Sequence, residues 1–448
     1  MLNNRPNKSL NPPNPLFQRG NNTLIPFNKG NGSISPFSKI FKGRFFKNKI
    51  RKPNIYAGLC NRRGILQYAP TKLHEYLIFS NFSFKKPTPE NFSKRGKGDL
   101  ETNLKSKRQI CSVNGIKRFT CIVLVIITVF ITGCEKRVKK SQFHFGTITD
   151  ITAIVKTSAD QKAVDLAFDT MKDIDDRMSV YNNNSEVSQI NRLAGRSTVK
   201  VSNDTLNVTE KALYYSKTSD GMFDITVGPL MDIWGFRNGK NRIPSDVEIS
   251  KALSLIDYKK VKIDRSGSTV ELTSTGMKMD VGAIAVGYAV DKAVNVLKDN
   301  GVNKALVNGG GEIYALGSPP GKDAWRIGIQ HPRRSNTLLG TIELKDMAVS
   351  TSGDYENYFE VNGKRYCHIM NPKTGKPVEG IMSVTVVANT TTEADALSTV
   401  LFIMDAKDGM KLAERLDNVE CIIVTGSNEK DMKVLVSSGL KDKVQFNN

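Results

Sequence analysis

The stretch Met279–Asp291 reads MDVGAIAVGYAVD and has the pattern of a strand-to-helix junction. Apolar residues lead up to Asp280, Gly282 follows, and apolar residues then recur at helical spacing over 285–298. The pattern predicts a strand that ends at Asp280 and a glycine loop that opens a helix. Backbone N–H groups at a helix start attract phosphate, and glycine permits close approach. Glycine that serves only helix packing would give the same pattern.

The segments on either side mix both kinds of periodicity without a strict strand–helix–strand alternation. We therefore expect an α+β, or irregular α/β, fold: a mostly antiparallel sheet core flanked by helices. A polar tether is expected after Cys134, and Asp204 is expected to cap a helix. The predicted helices are 163–178, 204–219, 285–298 and 392–404. The predicted strands are 148–156, 260–264, 269–273, 304–307, 325–330, 340–344, 348–351, 358–361, 382–387, 421–424 and 433–436.

Three consecutive glycines follow the predicted strand 304–307, in Asn308–Ile313 (NGGGEI). Glycine removes side chains where a ligand or another backbone comes close, and a structural bulge is the alternative. The stretch is not a P-loop, because no Gly-Lys-Ser/Thr follows it.

Two later stretches carry polar groups suited to chemistry. Residues 350–355 (STSGDY) and 365–375 (RYCHIMNPKTG) place hydroxyls and His368 in loops after strands, although a lone histidine is more often structural. In 392–399 (TEADALST), Asp395 and Thr399 are four residues apart and share one helix face. Carboxylate and hydroxyl oxygens suit Mg²⁺ or Ca²⁺. A capping arrangement on a solvated face is the alternative.

Taken in order, these stretches resemble the ApbE family of FAD:protein FMN transferases, over about 143–440. The matching motifs are Asp-x-Gly-Ala-Ile-Ala-x-Gly-Tyr-Ala-x-Asp, Asn-Gly-Gly-Gly-Glu, Ser-Gly-Asp-Tyr-x-Asn-Tyr, His-Ile-x-x-Pro-x-Thr-Gly and Ala-Asp-Ala-Leu-x-Thr, with upstream matches at 146–147, 178–186, 220–230 and 234–236. The resemblance implies transfer of FMN from FAD to a threonine hydroxyl of a partner flavoprotein, with release of AMP.

The resemblance also implies site residues. A Mg²⁺ site would comprise the backbone oxygen of Ala283 with Asp395 and Thr399. His368 would act as base or proton carrier. Flavin and adenine contacts would fall at Phe145, Tyr181, Met222, Phe223, Asp224, Asp280 and Ile369. Many members have Lys where this chain has Val286, so a polar contact to FAD would be absent.

Two other functions use the same motifs. An FAD pyrophosphatase would use water in place of the threonine and give free FMN and AMP. A lipoprotein that only binds flavin would need no catalytic groups, and Asp395, Thr399 and His368 argue against it.

The charge distribution separates the front of the chain from the rest. The formal net charge of +21 divides into +18 over residues 1–115, +5 over 116–140 and −2 over 141–448. The domain at 143–440 therefore gives no electrostatic reason to bind nucleic acid. Residues 1–115 form a basic, Asn/Pro-rich extension, which we predict to be disordered or not translated; a start at Val113 would exclude residues 1–112.

Residues 116–134 predict a lipoprotein signal peptide. Basic residues precede the apolar run Cys121–Thr132, which at 12 residues is shorter than the roughly 20 that span a bilayer. Ile131–Cys134 resembles a lipobox, with Cys134 as the acylated N-terminus. We expect a protein lipid-anchored on the outward face of the cytoplasmic membrane. By resemblance, its acceptor would be a flavoprotein subunit of a membrane electron-transfer complex. Cys367 and Cys421 are expected to be free and buried, and a disulfide between them in an exported protein is the alternative.

Overall fold

The computed structural model describes residues 135–447. The predicted extension (1–115), the signal peptide (116–134) and the lipid-bearing Cys134 lie outside this range. Within it, no helix combines the length and the apolar character needed to cross a membrane.

The described residues contain eight α-helices, eighteen strands and two short 3-10 helices, Tyr258–Lys260 and Ser438–Leu440. The helices are α1 (Ser158–Met178), α2 (Glu186–Arg192), α3 (Asn203–Thr218), α4 (Gly228–Trp234), α5 (Asp246–Leu253), α6 (Ala285–Asp299), α7 (Thr391–Ile403) and α8 (Ala406–Ala413). The strands are β1 (Lys136–His144), β2 (Thr147–Val155), β3 (Val199–Lys200), β4 (Val261–Asp264), β5 (Thr269–Leu272), β6 (Ala305–Asn308), β7 (Ile313–Leu316), β8 (Trp325–Gln330), β9 (Leu338–Leu344), β10 (Met347–Gly353), β11 (Tyr358–Val361), β12 (Lys364–Cys367), β13 (Met370–Asn371), β14 (Lys376–Pro377), β15 (Ile381–Ala388), β16 (Glu420–Thr425), β17 (Lys433–Val436) and β18 (Val444–Phe446).

The central sheet has eight strands in the order β1-β2-β6-β7-β10-β15-β16-β17. Every neighbouring pair in it is antiparallel, which confirms the predicted fold class. Strand β15 (IMSVTVVA) is buried at all of its positions, as a strand covered on both faces must be.

Helices cover one face of this sheet, and a smaller sheet covers the other. Helix α6 packs between α1 and α7, and α7 packs on β10 and β15. The second face meets the three-stranded sheet β18-β9-β8, where Trp325 and Ile342 join a core cluster with Met382 and Val424. The helical side therefore brings the two motif-bearing helices, α6 and α7, into direct contact.

The predicted polar tether is wrong, because residues Lys136–His144 form the edge strand β1. It pairs with β2 along its whole length, from Lys136 opposite Val155 to His144 opposite Thr147. Most of its side chains are exposed, and a charged, exposed edge is a common way to prevent further strand pairing. The sequence lacks an apolar pattern here because the strand joins the sheet mainly through its backbone, with few side chains such as Val138 and His144 packed inward.

Two further local predictions need correction. Ser202 caps α3 by accepting from the Thr205 N–H, whereas Asp204 lies in the first turn and accepts from the Tyr288 hydroxyl at 2.9 Å. The expected strand ending at Asp280 is reduced to one isolated parallel bridge, between Lys278 and Val227. In both places a contact distant in sequence overrides the local pattern. Cys367 and Cys421 are free and buried, as expected.

Candidate active site

The glycine loop of α6 and the acidic residue of α7 meet directly. The N–H of Gly287 donates to Asp395 Oδ2 at 2.9 Å, and Asp395 is only 5% exposed. A side chain at Gly287 would place Cβ 2.4 Å from the Thr391 carbonyl oxygen and 2.7 Å from Asp395 Cβ. Glycine is therefore required here by helix–helix packing. Asp395 lies in a buried junction, and the solvated-face interpretation is wrong.

Hydroxyl groups from β10 and α7 surround this junction. Ser352 Oγ lies 2.8 Å from Ser398 Oγ and 3.3 Å from Thr399 Oγ1. Ser398 in turn donates to the Asp395 carbonyl at 2.8 Å. Ser352 is thus linked to both helix residues predicted to bind metal, to Thr399 directly and to Asp395 through Ser398, and it was not among the predicted site residues. Its signal was its place as the last of three small hydroxyl residues, 350–352, and as the first residue of the Ser-Gly-Asp-Tyr motif.

The three predicted metal ligands offer one carboxylate, one hydroxyl and one backbone carbonyl. Ala283 lies before α6, whose hydrogen-bond ladder begins with the Tyr288 N–H donating to the Ile284 carbonyl. No group of three or more His, Cys, Asp and Glu side chains that could hold a metal occurs in the described part of the chain. Oxygen donors with one carboxylate fit Mg²⁺, which uses few protein carboxylates and retains waters. The metal assignment stays a prediction.

The triple-glycine loop lies beside α6. Asn308 Oδ1 accepts from the N–H groups of Gly310 and Gly311, at 3.0 and 2.8 Å. A Cβ at Gly309 would lie 2.9 Å from Val286 Cγ1, and a Cβ at Gly310 only 2.4 Å from Thr147 Cγ2. Packing therefore accounts for these two glycines.

Gly311 differs from the two glycines before it. Its φ is +128°, and a Cβ there would meet nothing within 4 Å. Its backbone conformation favours glycine, while the space beside it leaves room for a ligand. Val286, at the position where Lys is common in the resembling family, is 9% exposed and packs toward Gly309 instead of presenting a polar group.

Asp280 is held by an arginine that the sequence reasoning missed. Its Oδ2 accepts from Arg237 Nη2 at 3.0 Å and its Oδ1 from the Gly282 N–H at 3.0 Å. Burial would lower the Arg237 pKa, but the Asp280 and Asp232 carboxylates raise it overall. The Asp280 N–H also donates to the Ile225 carbonyl at 2.7 Å. Arg237 directly follows the Trp-Gly-Phe match, and no periodicity marked it.

The Ile225 contact brings the segment of Met222, Phe223 and Asp224 next to Asp280. Phe223 is 2% exposed and packs edge-on against Tyr215. The Asp224 carboxylate accepts from the Thr226 N–H, the Thr226 hydroxyl and the Tyr258 N–H, and burial raises its pKa. These two side chains organise the loop, and the flavin contacts at Met222, Phe223 and Asp224 stay predictions.

The remaining predicted contacts lie on separate elements. Phe145 forms the β1–β2 turn with φ +52°, and its N–H donates to Asp175 Oδ2 at 2.8 Å. Tyr181 follows α1, is 63% exposed and is close enough to Arg237 to raise that pKa. Ile369 is buried, and its carbonyl accepts from the Val378 N–H. These three residues come from different parts of the chain: Phe145 from the β1–β2 turn, Tyr181 from the segment after α1, and Ile369 from the segment after β12.

His368 lies at the base of the β11–β12 hairpin. The backbone N–H of His368 donates to the Asn357 carbonyl at 2.9 Å, and the ring Nδ1 lies 3.1 Å from the same oxygen. Because a carbonyl only accepts, Nδ1 carries the proton of the neutral ring and the lone pair is on Nε2. The ring is half-buried; the backbone bond holds His368 next to Asn357, and the Nδ1 contact orients the ring.

A family model described as the ApbE family matches residues 145–423. The chain belongs to the ApbE family. A curated relative from Vibrio cholerae, named FAD:protein FMN transferase, is 32% identical over 329 residues, covering 71% of this chain and 97% of the relative.

Solved structures of ApbE proteins share the fold. The ApbE protein from Thermotoga maritima is 34% identical, with a TM-score of 0.64, over 69% of this chain and 99% of its own. The flavin transferase ApbE from Vibrio cholerae is 29% identical, with a TM-score of 0.62, over 69% of this chain and all of its own. The family predicted from the ordered motifs is confirmed.

Proposed function

We propose that this ApbE-family protein transfers FMN from FAD to a threonine hydroxyl of an acceptor flavoprotein, with release of AMP and dependence on Mg²⁺. Flavin transfer is the activity for which its curated relatives are named. The observation that carries the proposal is the buried junction of α6 and α7, where Gly287 binds Asp395 beside the hydroxyls of Ser352 and Thr399.

Mg²⁺ would be held by the Ala283 carbonyl, Asp395 and Thr399. A bound Mg²⁺ would neutralise charge on the FAD pyrophosphate, which phosphoryl transfer requires. The Gly287 N–H fixes the orientation of the Asp395 carboxylate, and Ser352 does the same for the Thr399 hydroxyl. Ligands positioned in this way lose little entropy when the cation binds.

The transfer step exchanges one P–O bond for another and moves one proton. The acceptor threonine oxygen bonds to the phosphorus of the FMN half, the bridging P–O bond breaks, and AMP leaves with the bridging oxygen. His368 Nε2 accepts the threonine proton, because Nδ1 is committed to the Asn357 carbonyl. The imidazolium so formed keeps its Nδ1–H bond to Asn357, so the ring need not turn during the reaction.

The Arg237–Asp280 pair would shape the flavin-binding side. Arg237 holds Asp280, and Asp280 holds the Gly282 N–H, one residue before the proposed carbonyl ligand Ala283. FAD contacts and the metal loop are therefore linked through one carboxylate. Val286 offers no polar group, which we expect to affect FAD affinity more than the type of reaction.

The acceptor would be a flavoprotein subunit of a membrane electron-transfer complex, reached from a lipid anchor at Cys134 on the outward face of the membrane. The sequence of residues 116–134 supports this location. Stable anchoring needs more than one acyl chain. Membrane fractionation of wild-type and Cys134→Ser cells tests the anchor, since the variant should leave the membrane once the signal peptide is removed.

The reaction is tested with purified protein, FAD and Mg²⁺, with and without an acceptor flavoprotein. AMP is measured by chromatography and attached FMN by mass spectrometry. The negative control is the same acceptor with its threonine replaced by alanine. His368→Gln should slow transfer about 10²–10⁴-fold and leave FAD binding intact, whereas the control His331→Asn should transfer normally.

The outcomes separate the three functions. AMP that appears only with the threonine-bearing acceptor supports transfer. AMP formed equally without acceptor would establish the pyrophosphatase instead. FAD binding with no AMP under either condition would leave a flavin-binding lipoprotein.

A further inference from the structure

A carboxylate of α6 accepts hydrogen bonds from the first residues of α7. Asp291 of α6 accepts from the Thr391 N–H at 2.7 Å and from the Thr392 N–H at 2.9 Å. The Thr392 hydroxyl donates to the same carboxylate. The function described above gives Asp291 no part, although it is the last residue of the MDVGAIAVGYAVD stretch.

Capping of α7 does not by itself explain this contact. The helix already has a local N-cap, since the Thr390 side chain accepts from the Glu393 N–H. Asp291 adds a negative charge at the positive end of the helix dipole. Unlike Thr390, it also ties that end of α7 to a different helix.

The second tie between the same helices lies one turn away. On α6, Gly287 precedes Asp291 by four residues; on α7, Asp395 follows Thr391 by four residues. The Gly287–Asp395 and Asp291–Thr391 bonds therefore pair successive turns of two helices packed in contact. A one-turn slide of about 5.4 Å would break both, and two bonds also oppose rotation about either one.

We propose that Asp291 is a positioning residue that sets the register of α7 against α6, so that Asp395 and Thr399 face the loop of Ala283. The metal in this inference rests on the proposed function. The register itself rests on the hydrogen bonds alone. Loss of the Asp291 carboxylate removes one of these two ties, so α7 should resist rotation against α6 less strongly.

The test compares Asp291→Asn with Glu420→Gln in the full-length protein. Glu420, on β16, also accepts from backbone and hydroxyl donors of another element: the Gly439 N–H at 3.0 Å and the Ser437 hydroxyl, one backbone donor fewer than Asp291 has. This carboxylate of a strand caps a short helical turn elsewhere in the chain, and both lie outside the proposed site. Both substitutions remove a capping charge at nearly constant volume, so global destabilisation alone would affect them alike.

Two measurements report on the position of α7 independently of the rate of transfer. Mg²⁺ titration followed by thermal shift gives the half-saturating concentration. Amide hydrogen exchange without metal or FAD reports opening at the start of α7. Since groups that orient metal ligands typically contribute 10–100-fold to metal affinity, Asp291→Asn should raise the half-saturating Mg²⁺ about 10-fold or more. It should also speed exchange at Thr391–Asp395, and Glu420→Gln should do neither. Saturating Mg²⁺ should restore most of the transfer rate.

A second pair of variants, at Thr392, perturbs the structure less and keeps the test possible if Asp291→Asn does not fold. Thr392→Val removes only the buried hydroxyl donor, and Thr392→Ser keeps it, so valine should weaken Mg²⁺ binding and serine should not. An unchanged Mg²⁺ midpoint and unchanged α7 exchange in Asp291→Asn, or in Thr392→Val if the first does not fold, would overturn the positioning role. Absence of transfer by the wild-type protein, with the Mg²⁺ and exchange differences present, would instead overturn the proposed reaction and leave the positioning role standing.

Discussion

Replacement of Asp395 tests the metal assignment most directly, and its burial determines which replacement is informative. Asp395→Ala removes the proposed ligand but also leaves the Gly287 N–H without its acceptor. A hydrogen bond to a charged group contributes about 1.5–3 kcal/mol, so alanine should lower the unfolding midpoint by a few degrees. Asp395→Asn keeps a carbonyl oxygen for Gly287 while it removes the charge and replaces the other oxygen by an NH2 group.

The expected effect of Asp395→Asn is on catalysis. Charge stabilisation by a bound cation is worth several kcal/mol, and about 3 kcal/mol corresponds to roughly 10²-fold in rate. We therefore expect FMN transfer at limiting Mg²⁺ to fall at least about 10²-fold, with an unfolding midpoint near that of the wild type. Thr399→Ala should be milder, because water can replace a neutral hydroxyl.

The assay measures AMP release and FMN incorporation over a Mg²⁺ series, with the thermal midpoint recorded for each variant. Asp395→Ala and Asp395→Asn should lose transfer alike but differ in stability. Near-wild-type transfer by Asp395→Asn at limiting Mg²⁺ would show that this face of α7 is not the metal site. Loss of transfer by alanine alone would assign Asp395 a packing role.

Two further predictions concern packing and pH. Gly287→Ala should destabilise the protein and weaken Mg²⁺ binding, because its Cβ would lie 2.4 Å from the Thr391 carbonyl oxygen. Such overpacking costs about 1–3 kcal/mol. The gain in helix propensity from glycine to alanine is about 1 kcal/mol and offsets only part of this cost. Gly409→Ala in α8 is the control, since its nearest contact is an ordinary 3.4 Å; equal midpoints for the two variants would contradict the packing argument. Buried His331 accepts from the Arg334 N–H through Nδ1, and burial, with the Arg334 charge, lowers its pKa. Its contribution to stability should thus be complete above about pH 6.5 and lost as the pH falls through the lowered folded pKa. Urea midpoints of the wild type and His331→Asn at pH 8 and pH 5.5 measure this, and parallel pH dependence of the two would refute it.

The sequence alone determined the family, the fold class and most of the regular elements. Strands Trp325–Gln330, Tyr358–Val361 and Lys433–Val436 were predicted to the residue, and α6 and α7 to within one residue at each end. Such elements are set by neighbours two to four positions apart, which the chain displays directly. The order of the glycine, histidine and acidic motifs carried the resemblance to the ApbE family.

Only the tertiary structure decided how these motifs meet. Gly287 and Asp395 are 108 residues apart, and whether Asp395 faced solvent or a buried junction depended on how α6 packs against α7. The Arg237–Asp280 pair, the Asp291 tie and the edge strand β1 escaped prediction for the same reason. Each is fixed by partners distant in the chain, and a single charged side chain looks the same in sequence whether solvent or another helix satisfies it.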